Sequence, residues 1–281
     1  MIAEPEPTTR FIRPARGLQF LDLGEMLHYR ELLAYLALRD VQVRYKQTAI
    51  GVLWVVLQPA LLVGAFWVFF GRLSGIYEGI GGTPYPLFAL TGLLPWQYFA
   101  RVLSDSGSSL VTNQRLVTRV YFPRIIVPIS TAVAALVDFA IGLLLLVVVM
   151  IWYGVAPRVA LLALPLPLLL LLLTSLGFGF WLAALNTEYR DVMYAMPFLV
   201  QFWMFVTPVV YPVTLVPERY RWLLGLNPMA GVTEGFRWCL LGAPAPGSLL
   251  WTSFVVASAV FMSGIAWFRS RERVFVDMLG G

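Results

Sequence analysis

Lysine, cysteine and histidine occur once each in this chain, as Lys46, Cys239 and His28. Each scarcity excludes a chemistry. A GxxxxGK[ST] loop places its lysine on nucleotide phosphates, and Lys46 sits in YKQT, so the chain cannot bind ATP in that way. A single cysteine rules out an internal disulfide framework, and a single histidine rules out a His-rich metal site. The HExxH helix and the GxSxG elbow are also missing, so zinc-hydrolase and nucleophile-elbow chemistry have no residues to use. Charged residues make up only 12% of the chain, against about 25% in an ordinary soluble domain.

Apolar sequence is abundant: 59% of the 281 residues are hydrophobic and 15% aromatic, with a mean hydropathy of +0.78. Runs of this kind cross a hydrocarbon layer about 30 Å thick as helices, because backbone groups in lipid must be satisfied within the segment. The sequence predicts an all-α polytopic membrane protein with six transmembrane helices. They run at about Ile50 to Gly71, Pro84 to Leu103, Ile125 to Tyr153, Leu161 to Leu185, Tyr194 to Val213 and Leu249 to Phe268. An even number puts both termini on one side. With that side cytoplasmic, only Arg72, Arg158, Arg219, Arg221 and Arg237 of the 20 Lys and Arg lie outside it. The net charge of +5 is thereby assigned to topology, and no nucleic-acid partner is expected.

The first 17 residues, MIAEPEPTTRFIRPARG, begin with acids and prolines and lack the apolar core of a signal peptide. Residues 1–30 read as a partly disordered cytoplasmic segment, 31–268 as the membrane domain and 269–281 as a cytoplasmic tail. Between spans, three pieces are informative. Glu31 to Gln47 sets Leu32, Leu36 and Val43 on one stripe, the pattern of an amphipathic helix lying in the membrane surface. Asn113, a candidate N-cap, opens a short helix with Leu116, Val117, Val120 and Tyr121 on one side, Arg115 and Arg119 at i,i+4, and Pro123 as its stop. Between the last two spans, Pro217 and Asn227-Pro228 each open a helix of about 10 to 14 residues, suited to a re-entrant or interfacial position. Met229, Val232, Phe236 and Leu240 share a face of the second.

Few acids are available for chemistry. Asp138 lies inside the third span, where an ionisable group is by default a functional-site candidate. Its other reading is a hydrogen bond to a neighbouring helix or hydration near the interface. Glu188 and Asp191 in NTEYRD are expected to cap helix ends or to pair with Arg190. Glu234 and Arg237, at i,i+3, are expected to pair with each other, with substrate contact as the alternative.

The stretches LRDVQVRYKQTAIGVLWVVLQP, FALTGLLPWQYF, QRLVTRVYFPRIIVP, NTEYRDV and LNPMAGVTEGFRW, in this order and spacing, resemble a known family. It is the membrane subunit of ABC transporters that export polysaccharides and polyol phosphates, including O-antigen, capsule and teichoic-acid chains, across the bacterial inner membrane. The resemblance implies a non-enzymatic permease that forms a homodimer and works with two copies of a separate ATPase subunit carrying ATP and Mg. It also implies a lipid-linked polysaccharide as substrate.

On this resemblance Glu31 to Gln47 is a cytoplasmic gate helix, with Arg39, Arg44, Tyr45 and Lys46 at the substrate entrance. Arg115, Leu116, Arg119, Tyr121 and Phe122 are the residues that couple to the ATPase. Trp54, Trp96, Tyr98 and Phe99 are channel-lining candidates on which sugar faces could slide. Tyr220, Trp222, Asn227, Glu234, Phe236 and Arg237 belong to the outer gate. Competing readings are an ABC permease for drugs or small lipids, a membrane enzyme acting on lipid-linked sugars, and a proton-driven carrier resting on Asp138.

Overall fold

Helices form where the apolar runs lie. The computed structural model describes residues 23–46, 51–73, 82–156, 158–272, 274–275 and 278, and every regular element among them is helical. In chain order these are α1 (Leu23–His28), α2 (Arg30–Lys46), α3 (Leu53–Phe66), α4 (Tyr85–Thr112), α5 (Gln114–Arg119) and α6 (Ile126–Trp152). They are followed by α7 (Pro165–Glu188), α8 (Val192–Val206), α9 (Arg221–Gly225), α10 (Pro228–Leu241) and α11 (Ser248–Arg271). A π-helical stretch, Trp67–Leu73, prolongs α3. The expectations for residues 1–17, for Gln47, for the start of the first span at Ile50 and for most of the tail lie outside the described residues.

Among the described residues four helices are long and apolar enough to cross a membrane: Leu53–Phe70, Ile126–Trp152, Val159–Glu188 and Ser248–Arg271. The other two expected spans differ from these for physical reasons. α4 is 28 residues long, about 42 Å, but it is enclosed by α6, α7, α8 and α10, and Arg101 and Asp105 interrupt its apolar character. A helix walled by other helices need not be apolar all round. α8 ends at Val206 rather than near Val213, because Pro208 drives Thr207 into extended backbone at φ −90°, ψ 136°. Its 15 residues span only about 22 Å.

Two further local expectations are corrected. Asn113 stands at the N-cap position of α5, but its side chain makes no capping bond there; the amide turns back and donates to the Ser109 carbonyl at 2.9 Å, closing α4. In α2 the stripe through Val43 fails, since Val43 is 69% exposed while Leu36 and Ala37 are buried. Asn227 does act as foreseen: its Oδ1 accepts from the Met229 N–H at 3.2 Å, with Pro228 at the first helical position.

In lipid, helices associate through close packing more than through hydrophobic transfer, so small residues mark the tightest contacts. The α7–α11 contact is of this kind: a Cβ on Gly177 would meet the Phe261 backbone at 2.8 Å, and one on Gly264 would meet the Gly177 carbonyl oxygen at 2.5 Å. Gly177→Val is therefore expected to force the pair apart and cost about 1–3 kcal/mol. The check is the unfolding temperature in detergent, and an unchanged value would contradict this packing.

The buried side chains form two clusters. The larger joins α4, α6, α7, α8 and α10 around Leu93, Phe99, Phe139, Leu170 and Phe236. The smaller sits at the end of the bundle where α5 lies and gathers Leu36, Val117, Phe122, Phe180, Phe268 and Phe275.

Candidate functional site

The last turns of α2 lean on α4 and α6 through charge. Arg44 turns inward, giving Nη1 to Asp138 Oδ2 at 2.5 Å and Nη2 to Asp105 Oδ2 at 3.1 Å. Arg101 of α4 gives its own Nη1 to the same Asp138 oxygen at 2.5 Å, and the Tyr45 hydroxyl donates to the other oxygen, Oδ1. Asp138 is thus the hub of a five-residue network on three helices, and its side chain is only 13% exposed. This ion pair explains the failed stripe on α2: placing Arg44 inward puts its neighbour Val43 outside. Burial, followed by the hydrogen bond to Asp138, pushes the Tyr45 hydroxyl up to about 12, so it stays a donor throughout the physiological range.

Beside this network lies a cavity of about 490 Å³, lined by residues of α2, α3, α4 and α6. Its lining includes the polar side chains of Arg44, Arg101, Asp105, Asp138, Gln58 and Gln97 and the aromatic ones of Trp54, Trp96 and Tyr98. Aromatic side chains together with ion pairs and amides form a lining suited to a polyhydroxylated ligand, whose rings have apolar faces and polar rims. Trp96 and Tyr98 are otherwise well buried, and the Tyr98 hydroxyl donates to the Ala132 carbonyl at 3.2 Å. Phe99 does not line the cavity; it is buried edge-to-face against Trp203 at 5.2 Å and Phe178 at 6.1 Å.

The other predicted entrance residues are placed differently. Arg39 pairs with Asp40 at 2.7 Å, and Lys46 is exposed at the end of α2. Along α5 and the turn after it, Arg115, Arg119 and Tyr121 are exposed. Leu116 is half-buried, and Phe122 is buried in the smaller cluster, so neither presents itself as the three polar or aromatic neighbours do. Glu188 pairs with Arg271 of α11 at 2.7 Å, not with Arg190.

Around α10, Tyr220 and Trp222 are exposed while Phe236 is buried against Phe139, ring centroids 5.9 Å apart. Arg237 does pair with Glu234, at 2.7 Å, but it does more. Its guanidinium donates to the carbonyls of Pro208 at 2.8 Å and Val209 at 2.6 Å, and lies 3.6 Å over the Phe88 ring. Asn227 also accepts from Trp203 Nε1 at 3.1 Å and donates to Thr207 Oγ1 at 2.9 Å, so the start of the loop after α8 is held by two side chains, Asn227 and Arg237.

The profile of the ABC-2 type transporter family matches residues 31–241. The chain belongs to that family. As an ABC-2 transporter chain it is similar to the O-antigen export system permease protein RfbA of Myxococcus xanthus, at 30% identity over 91% of this chain and 98% of that protein. It is also similar to an RfbA of Klebsiella pneumoniae, at 23% identity over 89% and 95%, and to the polysialic acid transport protein KpsM of Escherichia coli, at 25% over 86% and 93%. The match agrees with the resemblance read from the sequence motifs, and with a multi-pass membrane protein that transports rather than catalyses.

Reading the motifs of this ABC-2 transporter did not bring out Arg101 and Asp105. The signal for them is RVLSD, an opposite-charge i,i+4 pair at the end of an otherwise apolar run. What the sequence could not give was that Arg101 reaches Asp138 directly while Asp105 is joined to it through Arg44.

Proposed function

We propose that the chain is the channel-forming subunit of an ATP-driven exporter of a lipid-linked polysaccharide in the bacterial inner membrane. It acts as a homodimer with two copies of a separate ATPase that carries ATP and Mg. On this reading six segments cross the membrane, with α4 and α8 among them, and both termini are cytoplasmic. α2 is the gate helix at the entrance, α5 seats in the ATPase, and α9 with α10 forms the outer gate.

The observation that carries the proposal is the near end-to-end alignment with permeases named for O-antigen export. The cavity between α2, α3, α4 and α6 supports it, since its aromatic and ion-paired walls suit a sugar chain. Asp138 gives a proton-driven carrier little support, because both its oxygens already accept from cationic or phenolic donors.

Vesicles containing the chain and its ATPase decide the matter. Glycan should move only with ATP; movement that persists without the ATPase and collapses with the proton gradient overturns the reading. Transport of a small lipid in place of glycan returns the drug-or-lipid alternative. Within the cavity, an aromatic plane against a sugar face is worth about 1 kcal/mol, the scale of aromatic contacts. Trp54→Ala, at a half-exposed side chain, should therefore slow export by about fivefold with membrane levels unchanged, and export at the native rate would remove the stacking role.

A further inference from the structure

The chain just after α11 folds back over the turn that joins α5 to α6. The Arg124 backbone N–H donates to the Glu272 carboxylate at 2.9 Å, and the Arg124 guanidinium donates to the Glu272 carbonyl. Further along, Phe275 is fully buried against Phe268, with ring centroids 5.1 Å apart. Phe275 is part of the apolar cluster that also contains Leu36 of α2 and Val117 of α5. At the same end Arg271 pairs with Glu188, which ties the end of α11 to α7.

α5 needs such support. It has six residues, too few to hold a helix by itself, and it packs chiefly on α4, to which it is covalently joined. A push on a short helix hung between turns is absorbed by the turns unless a packed body stands behind it. Close-packed side chains have low compressibility and pass a displacement on. Here that body contains α2, because Leu36, Val117 and Phe275 lie in one cluster.

We propose that Glu272 and Phe275 form a strap that makes the α5 turn and α2 move as one unit, so that displacement of α5 reaches the charge network at the end of α2. Both are positioning residues. The inference rests on reading α5 as the ATPase seat and α2 as a gate, and it names the route between them.

The test uses the full chain with its ATPase in membrane vesicles and reads α2 directly. Tyr35, 66% exposed on α2, is changed to cysteine, and its maleimide labelling rate is measured with and without ATP; the native Cys239 is buried. In the chain with an intact strap, ATP should change the rate by about tenfold, within the usual range for linked sites. With Phe275→Ala and Glu272→Ala added, ATP hydrolysis and co-purification of the ATPase should persist while the ATP effect on labelling falls below about twofold. Phe275→Leu, which keeps an apolar plug, should restore it. Should that double variant fail to accumulate, Arg124→Ala combined with Glu272→Ala removes both hydrogen bonds of the tether while leaving the apolar cluster whole, and carries the same expectation.

A strapless chain whose labelling still responds about tenfold overturns the strap alone. A chain with the strap intact whose labelling ignores ATP overturns the transporter reading and the strap together.

Discussion

Replacing Asp138 by alanine is expected to abolish export and to free α2 from the bundle. The carboxylate receives two guanidinium groups and a phenol from three positions on two other helices, in a site that is largely shielded. Removing the shared acceptor leaves Arg101 without its carboxylate partner and Arg44 with Asp105 alone. Breaking a buried pair from one side costs roughly 3–5 kcal/mol, far above the value of an exposed pair. Arg101→Ala should cost less than Arg44→Ala, because the Arg101 side chain is 38% exposed against 23% for Arg44, and only Arg44 also engages Asp105. Asp138→Asn keeps the shape and one acceptor oxygen but turns the other into a donor and removes the charge, so it should fall between alanine and the native residue. Export rate, together with protease cleavage of α2 in inside-out vesicles, separates these cases. Native export by Asp138→Ala would show that the network plays no part.

Arg237→Ala should be the most damaging change away from the cavity. The guanidinium is 1% exposed, and its loss orphans the carbonyls of Pro208 and Val209 and leaves Glu234 beside them uncompensated. The expected cost is again roughly 3–5 kcal/mol, a large part of the 5–15 kcal/mol by which a folded domain is held. Lysine is a poor substitute, since a single ammonium cannot reproduce a fork that spans two carbonyls and a carboxylate while lying on an aromatic ring. The site allows no slack on its far side: a Cβ on Gly92 would stand 2.5 Å from the Val209 oxygen and 2.9 Å from Arg237 Nη2. Gly92→Ala should consequently mimic the loss of Arg237, by displacing the loop instead of abandoning it. Glu234→Gln with Arg237→Met should cost less than the two single changes added, because each removes the other's stranded charge. Unfolding in detergent measures all four, and an Arg237→Ala protein that melts like the native one would refute this account.

Sequence patterns located most helices, because length and hydropathy of a run are local properties. Pro228 and Asn227 fixed the start of α10 for the same reason. What escaped was whatever a distant residue decides. The inward turn of Arg44 overrides the apolar stripe through Val43, and its partner Asp138 stands 94 positions away. Glu188 looked like a partner for Arg190, two residues on, but α11 brings Arg271 to it. The Glu234–Arg237 pair was legible from its i,i+3 spacing, whereas the two carbonyls that make Arg237 a structural pin belong to a loop no spacing rule connects to α10. Phe99 and Phe122 were sorted by residue type as surfaces for a ligand or a partner, and tertiary packing put both inside.

The separation along the chain between Arg44 and its acids also bears on how the protein is made. Asp105 is 61 positions beyond Arg44, and Asp138 is 94 beyond it. At about 5–20 residues per second of synthesis, α2 leaves the ribosome roughly 5 to 20 seconds before α6 can offer its carboxylate. Throughout that interval α2 is a cationic, half-apolar helix with nowhere to dock, and the membrane surface is its natural waiting place. Arrival of α6 in the bilayer then recruits it, so α2 is synthesised before α4 and α6 but is fixed in place only after both have followed it.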